Sequence, residues 1–150
     1  MPSHSERKLL PYTPQQLFDL VIDVERYPEF LPWCLAARIG RREVGAITAD
    51  LVIGFKMVRE HFTSRVEYDP ERLFVTTSNV KGPFRQMRSN WIFVQHDEGC
   101  MVDFSVAFEF RSRLLQRLIQ SLFEEAVRRM VAAFEARAVA LYGARGAVLC

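Results

Sequence analysis

The hydrophobic period of this chain changes from two to helical near residue 112, and that change limits what the chain can fold into. From Leu35 to Arg111 apolar residues recur at every second position. Ile47, Ala49, Leu51 and Ile53 alternate with Thr48, Asp50 and Val52. Val102, Phe104, Val106, Phe108 and Phe110 alternate with Asp103, Ser105, Ala107, Glu109 and Arg111. Successive side chains of a strand point to opposite faces, so this pattern gives strands with one buried and one wet face. Breaks at Val44-Gly45, Tyr68-Asp69-Pro70, Lys81-Gly82-Pro83 and Asp97-Glu98-Gly99 carry turn chemistry at hairpin spacing. The expectation is an antiparallel meander of about six strands.

From Arg113 to about Tyr142 the period becomes helical. Leu115, Leu118, Ile119, Leu122, Ala126, Met130 and Ala133 form the stripe, which Leu114, Phe123, Val127 and Phe134 widen. Gly143 is a natural stop. Residues 144–150 have no period and are expected to form a disordered tail on a single domain spanning 1–143. A first strand is expected over Arg7 to Tyr12. Thr13-Pro14-Gln15-Gln16 then starts a helix, with Thr13 as N-cap, Pro14 at the first helical position and Gln16 closing a capping box. Further on, Pro28 and Pro32 each remove a backbone donor, so a short helical turn held between two prolines is expected there. The long helix is only about 10–12 Å wide with its side chains. A seven-stranded sheet at ~4.8 Å per strand is nearer 30 Å wide. The sheet must therefore curl around the helix in an α+β domain.

A length of 150 residues suits one domain, and 49% hydrophobic with 25% charged residues is ordinary globular usage. The net charge of +2 does not imply DNA, and the Arg residues are interleaved with acids. Cys34, Cys100 and Cys150 are too widely spaced for a zinc site or a disulfide framework. The polar N-terminus does not read as a signal peptide, and no apolar run approaches the ~18 residues of a membrane span. A reducing cytoplasm is the expected compartment, with any membrane contact peripheral.

Catalytic candidates are sparse. His4 falls in what reads as a flexible start, His61 on a polar strand face and His96 beside a turn. No GxSxG, HExxH or phosphate-binding glycine loop occurs, and neither an enzyme nor a cofactor or metal is expected. The aromatic distribution carries more information, because the chain holds 12 Phe. Phe62, Trp91, Phe93, Phe104, Phe108 and Phe110 fall on strand faces that look at the helix. Such rings suit either a dense core or the walls of a pocket for an apolar guest.

Several stretches together resemble the START-related, helix-grip family of ubiquinone-binding proteins, which also includes RatA-like proteins. They are Leu10 to Val21, Asp23 to Cys34 with its Tyr27-Pro28 and Phe30-Leu31-Pro32-Trp33-Cys34, Lys81 to Phe84, Trp91 to Phe93, Val106 to Ser112 and Phe134 to Arg137. The likeness runs from about residue 4 to residue 143 in the family's order. It implies a START/Bet v 1-like fold with two small helices after the first strand. It also implies a tunnel for ubiquinone or a similar isoprenoid lipid, and a quinone chaperone role in respiration. The alternative it implies is a toxin that binds the large ribosomal subunit and blocks subunit association. Residues expected to line the tunnel are Phe30, Trp33, Leu51, Phe62, Trp91, Phe93, Phe104, Val106, Phe108, Leu122 and Met130. Tyr27 to Trp33 is the expected membrane-docking segment, with Phe30 and Leu31 inserting. Arg41, Arg42, Arg59, Arg65, Arg85 and Arg88 are the expected contacts in the ribosomal alternative.

Overall fold

The computed structural model describes residues 3–55 and 58–143, and the tail expected over 144–150 lies outside them. Strand β1 covers Ser3–Leu10, starting earlier and ending sooner than its sequence suggested. It pairs antiparallel with a strand about a hundred residues later, Ser3 opposite Ala107 and Leu10 opposite Cys100. His4 is thus a strand residue that contacts the Glu6 carboxylate at 3.0 Å rather than part of a flexible start.

Helix α1, Pro14–Ile22, begins as its sequence requires. The Thr13 hydroxyl accepts from Gln16 N and the Gln16 amide oxygen accepts from Thr13 N, satisfying two otherwise orphaned donors. Leu17, Phe18, Leu20 and Val21 are its buried face. A 3₁₀ helix follows at Val24–Glu29. The expected turn between Pro28 and Pro32 is displaced toward the N-terminus, and Pro28 lies inside it. Pro28 is the fifth of its six residues, so the element forgoes the i→i+3 bond that an N–H there would have made.

Six further strands run β2 Cys34–Glu43, β3 Ala46–Phe55, β4 Val58–Asp69, β5 Phe74–Lys81, β6 Phe84–His96 and β7 Gly99–Phe110. All pair antiparallel in the order β1-β7-β6-β5-β4-β3-β2. The hairpin turns fall at the breaks read from sequence. Gly99 is the one with least freedom: at φ +142, a Cβ there would stand 2.1 Å from the Leu10 carbonyl oxygen.

Helix α2, Arg113–Tyr142, is capped by the Ser112 hydroxyl, which accepts from Leu115 N, and ends at Gly143 with φ +83. Its apolar stripe covers the sheet's concave face, with Ile119, Phe123, Val127, Phe134 and Ala138 buried. The helix end is tied to the start of the chain. The Tyr12 hydroxyl donates to Gly143 O at 2.8 Å, and the Tyr142 hydroxyl donates to Gln16 O at 2.9 Å. This is the helix-grip arrangement, a seven-stranded antiparallel sheet curled around one long helix.

Candidate ligand cavity

Inward positions of the sheet and the stripe of α2 do not close onto each other completely. Between them lies a cavity of about 210 Å³. Its walls come from both layers: Leu51 and Ile53 of β3, Phe62, Ser64 and Val66 of β4, Trp91 of β6, Phe104, Val106 and Phe108 of β7, and Ile119, Phe123, Ala126, Val127 and Met130 of α2. Tyr27, Leu31, Trp33 and Cys34 form the wall on the side of the 3₁₀ helix.

A trio of rings divides this space from a smaller one. Trp91 packs 4.3 Å from Phe104 and 5.0 Å from Phe134, centroid to centroid. All three rings also border a second cavity of about 50 Å³ toward α1, lined by Leu10, Leu17, Leu20, Val21, Phe93 and Val102. Lys8 and Glu135, which form an ion pair, lie at its polar side.

Of the residues expected to line a tunnel, Trp33, Leu51, Phe62, Trp91, Phe104, Val106, Phe108 and Met130 meet on the larger cavity. Phe30, Phe93 and Leu122 are not on that wall. Phe93 borders the smaller cavity and packs edge-on against Phe18 at 6.4 Å. Leu122 precedes Phe123 in the helix, and one residue is about 100° of rotation, so it falls on the flank of the stripe. Phe30 packs outside the cavity, against Tyr27 at 5.8 Å and Phe134 at 5.3 Å. The Arg137 guanidinium lies over its ring at 5.1 Å and also donates to Glu29. Glu29 is held below the usual carboxylate range by its hydrogen bond from Arg26, opposed by desolvation and reinforced by Arg137. Leu31 is only 4% exposed. Phe30 and Leu31 are therefore packing residues here, not the free apolar tips expected of a membrane-inserting segment.

The polar groups on the wall are few. Tyr27 donates its hydroxyl to Val21 O, and burial pushes its pKa up. Cys34 Sγ donates to Ala36 O at 3.7 Å, and desolvation raises its thiol to about 11. At neutral pH it is a protonated, weakly nucleophilic group beside the cavity. Ser64, Thr77 and Ser89 add hydroxyls from three neighbouring strands. They were absent from the expected lining, although the signal was there: each has the parity of the inward residues on its strand, Ser64 lying between Phe62 and Val66. Among the described residues, no group of three His, Cys, Asp or Glu side chains is arranged to hold a metal ion.

On the convex face, three of the six arginines singled out from sequence are already engaged. Arg41 pairs with Glu43, Arg42 with Glu25, and Arg65 with both Glu43 and Glu67. Arg85 and Arg88 take part in no ion pair among the described residues, and the same holds for Lys81, Arg111, Arg113 and Arg117. Most of these cations gather at one end of the fold, where Arg111 N donates to Pro83 O at 2.9 Å. There the exposed Leu114 stands between Arg113 and Arg117 in the first turns of α2.

A cavity between a curled sheet and its gripping helix is the shared geometry of a large group of proteins, and residues 10–135 match the family described as polyketide cyclase / dehydrase and lipid transport. The chain belongs to that family. It is 40% identical over 141 residues to the ribosome association toxin RatA of Rickettsia prowazekii, covering 92% of this chain and 97% of that one. It is 33% identical over 144 residues to the mitochondrial coenzyme Q-binding protein COQ10 homolog B of Xenopus laevis, covering 93% of this chain and 59% of the longer relative. Among solved structures, the 18 kDa protein CC1736 from Caulobacter crescentus superposes with a TM-score of 0.77 at 37% identity, covering 96% of this chain and all of that one. The ZhuI aromatase/cyclase from Streptomyces sp. R1128 superposes at 0.80, over 91% of this chain and 93% of its own, with 14% identity. That last likeness shows the fold alone.

Proposed function

We propose that this protein is a non-enzymatic carrier for ubiquinone or a similar isoprenoid lipid, a quinone chaperone that supports respiration from the cytoplasmic side of a membrane. The observation that carries the reading is the cavity of about 210 Å³ whose wall is apolar apart from a few hydroxyls and a thiol. Small-molecule sites are commonly ~300–1,000 Å³, so this one fits a ring with a short length of tail. A longer tail would pass the Trp91, Phe104 and Phe134 trio toward the smaller cavity. Each buried CH₂ of such a tail contributes ~0.8 kcal/mol, so affinity needs few polar contacts. The likeness to a coenzyme Q-binding protein supports the same choice of guest. Organic extraction and mass spectrometry of detergent-free protein from its native host tests the reading. A quinone is expected in the extract. Protein that carries none, and takes none up from liposomes, refutes it.

A second reading, binding to the large ribosomal subunit with hindrance of subunit joining, is favoured by the 40% identity to a ribosome association toxin. The cations at the β5–β6 turn and the start of α2 would supply its phosphate contacts, in place of the arginines engaged on β2 and β4. Sucrose-gradient profiles after overexpression decide it. Loss of monosomes that is relieved by Arg113→Glu with Arg117→Glu supports this reading. Unchanged profiles with no comigration remove it.

A further inference from the structure

Two stretches that meet at one end of the fold are cationic and free of acids. Residues 79–90 hold Lys81, Arg85 and Arg88, and residues 110–123 hold Arg111, Arg113 and Arg117, with no Asp or Glu in either. They come together where β5 turns into β6 and β7 runs into α2: Phe84 pairs with Phe110, and Arg111 N donates to Pro83 O at 2.9 Å. All six cations are exposed, and none takes part in an ion pair among the described residues. Arg113 also stands in the first turn of α2, where the helix dipole disfavours a cation and no acid offsets it. Fold stability therefore does not account for the charge here. Two apolar side chains are exposed among these cations. Leu114 is 77% exposed between Arg113 and Arg117, and Val80 is 58% exposed beside Lys81. The same two segments carry Phe84 and Phe110, stacked at 4.8 Å, which line the cavity together with Ile119.

We propose that this end docks on the surface of an anionic bilayer, with its cations against the headgroups and Leu114 entering the interface beside them. The proposal rests on the lipid-carrier reading and names the surface that such a carrier visits. Headgroup charge attracts the cations, and the acyl boundary takes up the exposed aliphatic side chains. An RNA backbone would satisfy the arginines and leave Leu114 in water, so the combination favours lipid. Because the docking face adjoins Phe84, Phe110 and Ile119, the docked protein holds its cavity next to the bilayer that supplies an apolar guest. This end takes the place of Tyr27 to Trp33, whose Phe30 and Leu31 are packed into the fold.

The test is flotation of the full-length protein with phosphatidylcholine vesicles, either pure or with about a third phosphatidylglycerol. The parent should float with the anionic vesicles, stay behind with the neutral ones, and be released by high salt. One charge near such a surface is worth about five-fold in affinity, so Arg113→Gln with Arg117→Gln should weaken binding roughly 30-fold. Leu114→Ser should weaken it several-fold, whereas Val44→Ser, at a fully exposed valine on the β2–β3 turn, should not. Every substituted side chain is exposed, so the variants should melt with the parent, which thermal melts verify. A parent that does not float with anionic vesicles overturns the proposal. So does a double variant that floats as well as the parent, and if that variant loses comigration with ribosomal particles the surface faces RNA. Quinone extraction keeps the two readings apart. A parent that floats but neither carries nor takes up quinone retains the docking face and loses the carrier role; one that carries quinone without floating loses the docking face alone.

Discussion

Replacing Ala126 with leucine should stabilise the empty protein and weaken its hold on a guest, a combination that only a real cavity produces. Ala126 is on the face of α2 that lines the 210 Å³ space. At ~24 cal/mol per Å³ of unfilled volume, a void of that size forgoes about 5 kcal/mol of packing. Leucine adds three carbons to the wall, at ~0.8 kcal/mol each when buried. Ordering its side chain costs about 0.5–1 kcal/mol, which leaves a gain of roughly 1.5 kcal/mol. For a chain of this length that raises the melting temperature by about 3–6 °C. The same three carbons take up space the guest would fill, so affinity should fall by about 2.4 kcal/mol, close to 50-fold. Thermal melts of parent and variant, with and without a short-tailed quinone, read both quantities. A variant that melts lower shows an overpacked core in place of a cavity. A variant that melts higher but binds as before shows that the guest lies elsewhere.

Alkaline pH should destabilise the fold through its buried thiols. Cys34 and Cys100 both rise from 9.0 to about 11 through desolvation, so above pH 9 the unfolded chain loses protons that the folded chain keeps. Stability is thus undiminished by these groups below pH 9 and falls by up to a few kcal/mol by pH 11, which melts of the parent against Cys34→Ala can apportion. A Cys150→Ser protein should also show both remaining thiols unreactive toward a disulfide reagent at pH 8 until denaturant is added; rapid native labelling contradicts their burial. Gly99→Ala should cost several kcal/mol, because its Cβ would collide with the Leu10 carbonyl oxygen and push β1 off β7. Thr13→Ala should cost only about 1 kcal/mol in denaturant unfolding, the usual worth of an N-cap.

Much of this architecture was legible because each element obeys one period. The inward residues of β7 alternate without interruption, and the capping box at Thr13 and Gln16 marks α1 before any contact is known. What the sequence could not convey is depth. Leu122 and Phe123 are equally apolar neighbours, and which one meets the cavity depends on how α2 is rotated against the sheet. Phe30 and Trp33 sit in the same proline-rich run. One packs under Arg137 outside the cavity while the other lines it, a difference set by the 3₁₀ helix ending at Glu29. The small polar residues at inward strand positions were readable, and Ser64, Thr77 and Ser89 are what an apolar-only reading of that face overlooks.

The pairing of β1 with β7 also governs when this protein can finish folding. Ser3 finds its partner only at Ala107, and Tyr12 finds Gly143. Synthesis at ~5–20 residues per second separates Ser3 from Ala107 by roughly 5–20 s. The hairpins from β2 to β6 can form in order as they emerge, each closing a short loop quickly. The first strand has to wait, unpaired, for the last one. Until then β1 stays unpaired and β6 leaves its outer edge open, and open edges invite pairing with other chains. Its strand order makes the nascent protein most vulnerable to aggregation just before it is complete.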